Sequence, residues 1–547
     1  MEFDYVIVGA GSAGCVLAER LSAGGRARVL VLEAGGADRH PWIRVPLGYA
    51  FTFSDPRVNW RYTARPDPGL LGREAYWPRG KVVGGSSSIN AMAWVRGLPG
   101  DFDDWQEAGA EGWGWPAMRA AFDALETVLA PGEDGRMRAS GNGPVPVSDL
   151  GRDMHPFSDN FLAAARDLGW PVTGDMNAPG QAGIGRYRST VRAGRRVSAA
   201  DAFLKPALRR GGVRLLTHAL VERIALDGRR ARGVHFRRAG RAGFARARRE
   251  VILCAGAVNS PQILQLSGLG PAPLLRAHGI EVVRDLPEVG RGLQDHLAIT
   301  HYFRSNAPTL NTRLGTPLGR VLAGVQYVAT RRGPLGVPVN QVGGFVRSGP
   351  AQSAPDLQIY CNPASYSVPA DGKPRIDRAP GFLLCAQPCR PTSRGEIRIA
   401  SPDPTRPPDI LPNSLATEAD RRAAIAASRA VQALAATPTL SALIRSAHEP
   451  DIRAMGEAEL LENFRARAGS VFHASCTCRM GRRAGDSVLD ARLRVHGVAG
   501  LRVVDASAFP NVTSGNTNAP TMALALRAAG LILEDAGRAG EAARESA

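Results

Sequence analysis

The sequence predicts an α/β protein built from two or more domains. Its 547 residues exceed what one hydrophobic core usually holds, so at least two domains that share an interface are expected. The chain begins with an apolar strand, a glycine-rich turn, a helix and a second apolar strand. Further strand-like runs, among them GGFVRS, DLQIYCN and GEIRIA, lie in its second half.

The opening segment, YVIVGAGSAGCVLAERLSAGGRARVLVLEAGG at 5–36, has the pattern of a dinucleotide site. The apolar strand Tyr5–Val8 leads into three glycines and a helix. Gly9 permits the tight turn, Gly11 lets the backbone approach a pyrophosphate, and Gly14 allows the helix to pack closely on the strand. The N–H groups at the start of the helix are then available to an anion.

An acidic residue completes this unit. The second strand, Val29–Leu32, ends at Glu33, which lies 19 residues beyond Gly14. A carboxylate there accepts hydrogen bonds from the hydroxyls of an adenosine ribose. The combination predicts a site for FAD or NAD and argues against NADP.

The formal net charge of +18 does not indicate nucleic acid as a partner. Only Lys81, Lys205 and Lys373 are lysines, so nearly all of the positive charge is arginine in a chain rich in Ala, Gly and Pro. The densest basic run, RRAGRAGFARARRE at 237–250, lies between two strand-like runs. It is interpreted as a solvated hairpin tip, with an anion-binding role as the alternative.

The stretch VFHASCTCRMG at 471–481 raises the question of a metal site. A structural zinc ion needs four ligands, and His473, Cys476 and Cys478 supply three. In an extended segment the two cysteines share one face and the histidine points to the other. We therefore expect no metal here. The seven cysteines are scattered and odd in number, so no disulfide framework is expected.

Targeting signals are not evident. The first strand starts almost at Met1 with no charged leader before it, which makes the cytoplasm the expected location. No apolar run reaches the ~20 residues that a membrane-spanning helix needs.

Several motifs, taken together, resemble the glucose-methanol-choline (GMC) family of FAD-dependent oxidoreductases. The resemblance covers nearly the whole chain in the expected order. It is carried by the opening segment and by RGKVVGGSSSINAMAWVRG at 79–97, GAVNSPQILQLSGLG at 256–270, NWRYTARP at 59–66, RVSAADAFLKPA at 196–207, EVGRGLQDHL at 288–297, SRGEIRIAS at 393–401 and LRVVDASAFPNVTSGNTNAPTMALALRAAG at 501–530.

The resemblance implies a discontinuous Rossmann-like FAD-binding domain with an inserted α+β substrate domain. The FAD-binding domain is expected at 1–155, 190–300 and 460–547. The substrate domain is expected at 156–189 and 301–459, built on an antiparallel sheet that lies over the flavin.

The resemblance also implies a set of cofactor contacts. Some choline-oxidising members attach FAD covalently through a histidine, and Ile89 stands at that position here, so FAD is expected to bind non-covalently. The expected contacts are Gly9, Gly11, Ser12, Ala13, Gly14, Glu33, Val83, Gly85, Asn90, Ala91, Met92, Ala93, Val221, Ala255, Asp505, Ala506, Asn516 and Thr517.

The family places a histidine and a second polar residue beside the reactive edge of the flavin, and His473 and Asn516 match these positions. A base must take the hydroxyl proton while the alcohol carbon gives a hydride to flavin N5, and histidine titrates near working pH. Asn516 is expected to donate a hydrogen bond to the developing alkoxide. Val471, Phe472, Trp60 and Trp94 are further candidates near the flavin.

The expected activity is FAD-dependent oxidation of a primary alcohol to an aldehyde, with oxygen or another electron acceptor as the second partner. Choline dehydrogenase is the alternative, although no carboxylate for a cation site is evident at 301–459. An FAD-containing lyase, a fatty-acid photodecarboxylase and an inactive binding protein are weaker alternatives. The intact His473 and Asn516 pair argues against the last two.

Overall fold

The computed structural model describes residues 1–132, 134, 136–178, 180, 183–367 and 374–545, the last seven of these by their backbone alone. Parts of the predicted segments 1–155, 156–189, 301–459 and 460–547 fall between or after these ranges and lie outside the described residues. Within the described residues the chain forms two seven-stranded sheets, several two- and three-stranded ribbons, and helices packed around them.

The first sheet is mostly parallel. Its centre is Glu2–Val8, which pairs in parallel with Val29–Leu32 and with Arg241–Leu253. The four apolar residues Tyr5 to Val8 are buried, as expected for a strand covered on both faces. The spatial order is Val213–Leu216, Val29–Leu32, Glu2–Val8, Arg241–Leu253, Arg230–Arg238 and Ala219–Asp227, with Leu501–Val503 parallel to Arg241–Leu253.

The first strand begins three residues earlier than the sequence predicts, because Glu2 and Phe3 pair with the long strand Arg241–Leu253. The basic run at 237–250 contains the predicted hairpin turn but extends well beyond it. It forms the ends of two antiparallel strands, and the hairpin turns at residues 239–240. Most of the run is therefore strand, and its arginine side chains point mainly to solvent.

The second sheet is entirely antiparallel. Helix Glu418–Ala436 packs against this sheet. The apolar side chains of the helix and the sheet form a core separate from that of the first sheet. This arrangement confirms the predicted fold class, an α/β nucleotide-binding unit combined with an α+β unit. The strands are Ile184–Arg186, Leu297–Ser305, Val342–Val346, Leu357–Asn362, Gly381–Pro388, Ile444–Ala447 and Gly469–Ser470.

Helices pack beside both sheets. Ser12–Ser22 and Asn518–Glu545 pack against each other beside the first sheet. The α-helices are Ser12–Ser22, Pro41–Arg44, Tyr49–Thr52, Pro99–Glu107, Trp115–Leu125, Ser158–Asp167, Lys205–Arg210, Gly256–Leu266, Ala272–Ala277, Leu310–Leu314, Pro317–Thr330, Glu418–Ala436, Pro438–Leu443, Glu457–Arg467 and Asn518–Glu545. Across the described ranges, none of them combines the length and apolarity needed to cross a bilayer.

The remaining strands form short ribbons. They are Tyr62–Thr63 with Tyr76–Trp77, Glu126–Pro131 with Met137–Ser140 and Val145–Ser148, Val191–Arg192 with Arg195–Arg196, Leu269–Gly270 with Arg284–Asp285, Arg291–Leu293 with Gly395–Arg398 and Asp409–Leu411, and Tyr366–Ser367 with Arg375–Ile376.

Candidate active site

One cavity of about 1320 Å³ runs from the glycine turn of the first sheet to the second sheet. Its volume exceeds the ~300–1,000 Å³ of an ordinary ligand pocket, so it has room for a dinucleotide and a further small molecule. Its lining includes Gly11 and Glu33 from the first sheet and the turn after it, Tyr302 from the second sheet, and also His473 and Asn516. The site is therefore shared by both sheets.

The glycine turn shows why its three glycines are needed. Gly9 has φ +103°, and a Cβ there would lie 2.4 Å from the carbonyl oxygen of Cys254. A Cβ on Gly14 would lie 2.0 Å from the carbonyl oxygen of Gly9, so Gly14 serves helix–strand packing. Gly11 differs, because the nearest atom to its Cβ would be 3.9 Å away. Gly11 lines the cavity, and its lack of a side chain leaves the backbone accessible from it.

The start of helix Ser12–Ser22 faces the cavity. No side chain caps it, so its first N–H groups remain available to an anion. The Ser12 hydroxyl donates to Asn518 Oδ1 at 2.7 Å, which joins this helix start to that of the last helix. Two helix N-termini therefore converge on the part of the cavity where a pyrophosphate is expected.

Glu33 is held at the adjacent strand end. Its two carboxylate oxygens accept hydrogen bonds from the backbone N–H groups of Ala10 and Gly35, at 2.9 and 2.8 Å. Burial raises the pKa of Glu33 to about 7. Each oxygen keeps a further lone pair, and the residue lines the cavity, so it can accept hydrogen bonds from ribose hydroxyls.

The loop at 83–93 forms a wall of the cavity against the glycine turn. Gly85 has φ +54°, and a Cβ there would lie 2.6 Å from Gly11 Cα, so the two backbones are in direct contact. Arg196 is buried and donates to the side-chain and backbone oxygens of Asn90, both at 2.6 Å. These contacts tie the loop to the rest of the protein.

Most of the predicted site residues line this one cavity. The two that do not are Gly14, for the packing reason given above, and Val83, whose side chain is buried in the core of the first sheet. Those that line it are Gly9, Gly11, Ser12, Ala13, Glu33, Gly85, Asn90, Ala91, Met92, Ala93, Val221, Ala255, His473, Asp505, Ala506, Asn516 and Thr517.

Of the four further candidates near the flavin, three line the cavity and one does not. Trp60 lines the cavity together with Val471 and Phe472. Trp94 is fully buried, and its indole N–H donates to Glu126 Oε1 at 2.7 Å. Trp94 is thus a core residue.

His473 lies in a chain of hydrogen bonds that determines its tautomer. His296 Nε2 lies 2.9 Å from the carbonyl oxygen of Cys389, which can only accept, so this nitrogen carries a proton. In neutral His296 the other nitrogen, Nδ1, is then an acceptor, and it lies 2.9 Å from His473 Nδ1. His473 Nδ1 must therefore be the donor. Its Nε2 is left as an unprotonated acceptor, 3.1 Å from the amide nitrogen of Asn516.

Burial keeps both imidazoles neutral. It lowers the pKa of His296 to about 4. The pKa of His473 falls well below its usual 6.5, through burial first and then through the neighbouring His296 and Arg79. The chain of donors and acceptors is therefore self-consistent at neutral pH, with a free lone pair on His473 Nε2.

Asp295 positions both histidines through their backbone. Its Oδ1 accepts from the N–H groups of His473 and His296, at 2.7 and 2.9 Å, and its Oδ2 accepts from the Ser470 hydroxyl. Burial raises the pKa of Asp295 to about 6. The sequence reasoning assigned no role to Asp295 or His296, although both stand in the EVGRGLQDHL motif. Their contact with His473 spans more than 170 residues and only the fold reveals it.

The two cysteines after His473 do not face the cavity. Cys476 and Cys478 are fully buried in the core of the first sheet, and Cys476 Sγ lies 3.4 Å from Gln294 Oε1. Of the residues that the structure describes, no three His, Cys, Asp or Glu side chains are grouped to hold a metal ion. The cysteines here act as small packing residues.

A nucleotide-binding sheet that shares one cavity with a buried histidine and a half-buried carboxamide defines a dinucleotide-dependent oxidoreductase. Family models described as GMC oxidoreductase match residues 3–298 and 391–525. The chain belongs to the GMC oxidoreductase family, which confirms the resemblance seen in the sequence. It is an FAD-dependent enzyme that acts on CH–OH donors.

Similar proteins extend over the whole chain. The alcohol dehydrogenase (acceptor) of Pseudomonas putida is 39% identical over 97% of this chain and 96% of its own. The mitochondrial choline dehydrogenase of Homo sapiens is 40% identical, covering 97% and 90%. Among solved structures, pyridoxine 4-oxidase from Mesorbium loti superposes with a TM-score of 0.84 at 31% identity, covering 96% and 98%.

The residues present fit FAD. The uncapped helix start, the exposed backbone at Gly11 and the carboxylate of Glu33 suit a pyrophosphate and an adenosine ribose. Gly85, Asn90 and His473 line the same cavity as these groups. The backbone N–H groups and the Glu33 carboxylate thus suit the nucleotide part of FAD.

Proposed function

We propose that the enzyme oxidises a neutral primary alcohol to an aldehyde, with His473 as the base and Asn516 as the donor to the alcohol oxygen. The observation that carries this proposal is the hydrogen-bond chain through His296, which leaves the lone pair of His473 Nε2 beside the Asn516 amide. FAD, when bound, supplies the acceptor for the hydride of the alcohol carbon.

The base is prepared by the protein. The hydroxyl proton of the alcohol passes to His473 Nε2, which makes the ring an imidazolium whose Nδ1–H still donates to His296. Loss of this proton raises the electron density on the alcohol oxygen and so drives the hydride from carbon. Asp295 keeps the ring in place through the backbone N–H of His473, so no reorientation is needed during the reaction.

Asn516 complements the base. Its amide nitrogen carries two N–H groups and lies 3.1 Å from His473 Nε2. From this position it can also donate a hydrogen bond to an oxygen placed beside that atom. A donor fixed in a buried site stabilises developing negative charge more than a solvent molecule does. The two side chains therefore bind one oxygen from two sides.

The charges of the cavity favour an uncharged substrate over choline. Within the described lining, the acidic residues are Glu33 and Asp505. Asp505 is occupied by the N–H groups of Gly256 and Ser507 and by the Ser260 hydroxyl, so neither carboxylate belongs to the substrate end. Arginines also line the cavity, among them Arg320, Arg378 and Arg467. A quaternary ammonium beside these arginines would meet like charge.

The test compares choline with 3,3-dimethylbutan-1-ol, which has the same shape and no charge. We expect the neutral alcohol to reduce the flavin with kcat/KM at least about tenfold above choline, because like-charge juxtaposition is costly. Stopped-flow absorbance under anaerobic conditions measures this. Equal or greater activity on choline would contradict the neutral-substrate assignment and leave alcohol oxidation itself intact.

The acid limb of the pH profile is a separate expectation. A base is active when it is unprotonated, and His473 has a pKa held well below 6.5 by burial. The rate of flavin reduction should therefore stay level as the pH falls from about 8 to 6.5 and decline only below that value. Single-turnover reduction rates across this range provide the measurement. A limb centred near pH 7 or higher would show that another group titrates.

We also propose that the first sheet with its helices is the FAD domain and that the antiparallel sheet carries the substrate side. FAD is held non-covalently, since Ile89 offers no nucleophile at the cavity wall. Oxygen or another acceptor reoxidises the flavin. Release of free FAD on acid precipitation tests the non-covalent assignment.

A further inference from the structure

Helix Pro317–Thr330 exposes the apolar side of its amphipathic pattern. Five of its large apolar side chains are between 51% and 69% exposed, and no comparable cluster occurs among the other described helices. At 3.6 residues per turn they fall within an arc of about 120°, so they form one continuous stripe. These side chains, called the outer stripe below, are Leu318, Val321, Leu322, Val325 and Val328.

The opposite side of the helix is fixed to the protein. Gly319, Ala323 and Tyr327 are buried, and the Tyr327 hydroxyl donates to the carbonyl oxygen of Gly194 at 3.0 Å. A Cβ on Gly319 would lie 1.8 Å from the carbonyl oxygen of Arg313, so the helix start is closely packed. The helix is therefore anchored by its small residues, and the outer stripe faces solvent as a stable feature.

The helix stands at one end of the active-site cavity. Arg320 lines that cavity, as do Leu314 and Gly315 just before the helix. Phe51, another exposed apolar side chain, lines the same cavity and stacks on Trp42 with ring centroids 4.3 Å apart. A surface in contact with the outer stripe would therefore lie next to the opening toward His473.

The charge around the stripe is mainly positive. Residues 296–355 contain six arginines and no Asp or Glu. Arg195, Arg313 and Arg320 form no ion pair with an acid in the described part of the chain, whereas Arg332 pairs with Asp153 at 2.9 Å. Self-association through this face would bring like charges together, which disfavours a second copy as its occupant. An anionic surface is complementary to it.

We propose that helix Pro317–Thr330 docks the enzyme on an anionic lipid bilayer, with the outer stripe inserted at the level of the headgroups and the arginines contacting lipid phosphates. A helix with an exposed apolar face can lie in such an interface by burying apolar area, and arginines beside it, such as Arg195, Arg313 and Arg320, add attraction to anionic lipid. The cavity then opens close to the membrane surface, where apolar alcohols concentrate. This inference goes beyond the proposed reaction and does not depend on which alcohol is oxidised.

The test is flotation of the FAD-loaded enzyme with vesicles of phosphatidylcholine and phosphatidylglycerol in equal parts. Leu322→Glu places a charge in the stripe, and Leu533→Glu is the matched control, since Leu533 is 46% exposed on another helix. We expect Leu322→Glu to lower the partition coefficient about tenfold or more, and the control to stay within about twofold of the unmodified enzyme.

A second pair of variants tests the charge. Arg195→Gln with Arg313→Gln should weaken binding to the mixed vesicles by roughly fivefold per arginine and leave weak binding to pure phosphatidylcholine unchanged. High salt should have the same effect as these substitutions. Circular dichroism and FAD content verify that each variant is folded.

Three outcomes would overturn the proposal. One is equal flotation of Leu322→Glu and the unmodified enzyme. Another is equal binding to neutral and mixed vesicles. The third is a dimer in sedimentation velocity that Leu322→Glu dissociates, which would assign the stripe to a second copy of the chain. Because flotation measures binding alone, failure of the proposed alcohol oxidation would be seen separately in the flavin-reduction assay.

Discussion

His473→Ala should slow reduction of the flavin by an alcohol by about 10²–10⁴-fold, because the substitution removes the acceptor for the hydroxyl proton. The lone pair of His473 Nε2 is fixed by the proton on Nδ1, which His296 accepts. The measurement is the rate of flavin bleaching on anaerobic mixing with substrate. FAD content should be unchanged, since the contacts to the nucleotide end lie elsewhere in the cavity.

Two further variants make this result specific. His496→Ala removes a histidine that bonds Ser487 and does not line the cavity, so its rate should stay within a factor of a few. His473→Gln retains a hydrogen-bonding side chain without a base and should be nearly as slow as the alanine variant. A His473→Ala enzyme that reduces flavin within a factor of a few of the unmodified rate would exclude His473 as the base.

Gly11→Val should weaken FAD binding by about 100-fold or more, because the valine side chain would occupy the approach to the pyrophosphate. The structure itself accommodates the new Cβ, since the nearest atom would be 3.9 Å away. The purified variant should therefore be nearly colourless and yet folded. Titration of the apoprotein with FAD, followed by flavin fluorescence, gives the affinity.

Gly24→Val is the matched control, because a Cβ there would meet no atom within 4 Å and the position lies outside the cavity. It should bind FAD normally. Gly14→Val should instead unfold the region, since its Cβ would lie 2.0 Å from the Gly9 carbonyl oxygen. Normal FAD affinity in Gly11→Val would contradict the assigned position of the pyrophosphate.

Much of the nucleotide end could be predicted from the sequence because its determinants are local. Gly9, Gly11 and Gly14 lie within six residues, and their spacing encodes the turn, the backbone approach and the helix packing together. Glu33 follows at the end of the next strand. The position of the cysteines near His473 could not be read from a local pattern. Only the packing of the first core shows that they are buried and face away from the cavity.

The sequence by itself predicted the family and the cofactor, and it singled out His473 and Asn516 as the candidate catalytic pair. Tertiary structure decided the tautomer assigned to His473, because His296 lies beside His473 across 177 residues of sequence and the Cys389 carbonyl accepts from His296 Nε2. It also decided which face of helix Pro317–Thr330 is exposed to solvent. An apolar stripe in a sequence predicts that something covers it, but only the packing of Gly319, Ala323 and Tyr327 shows that the protein's own core does not.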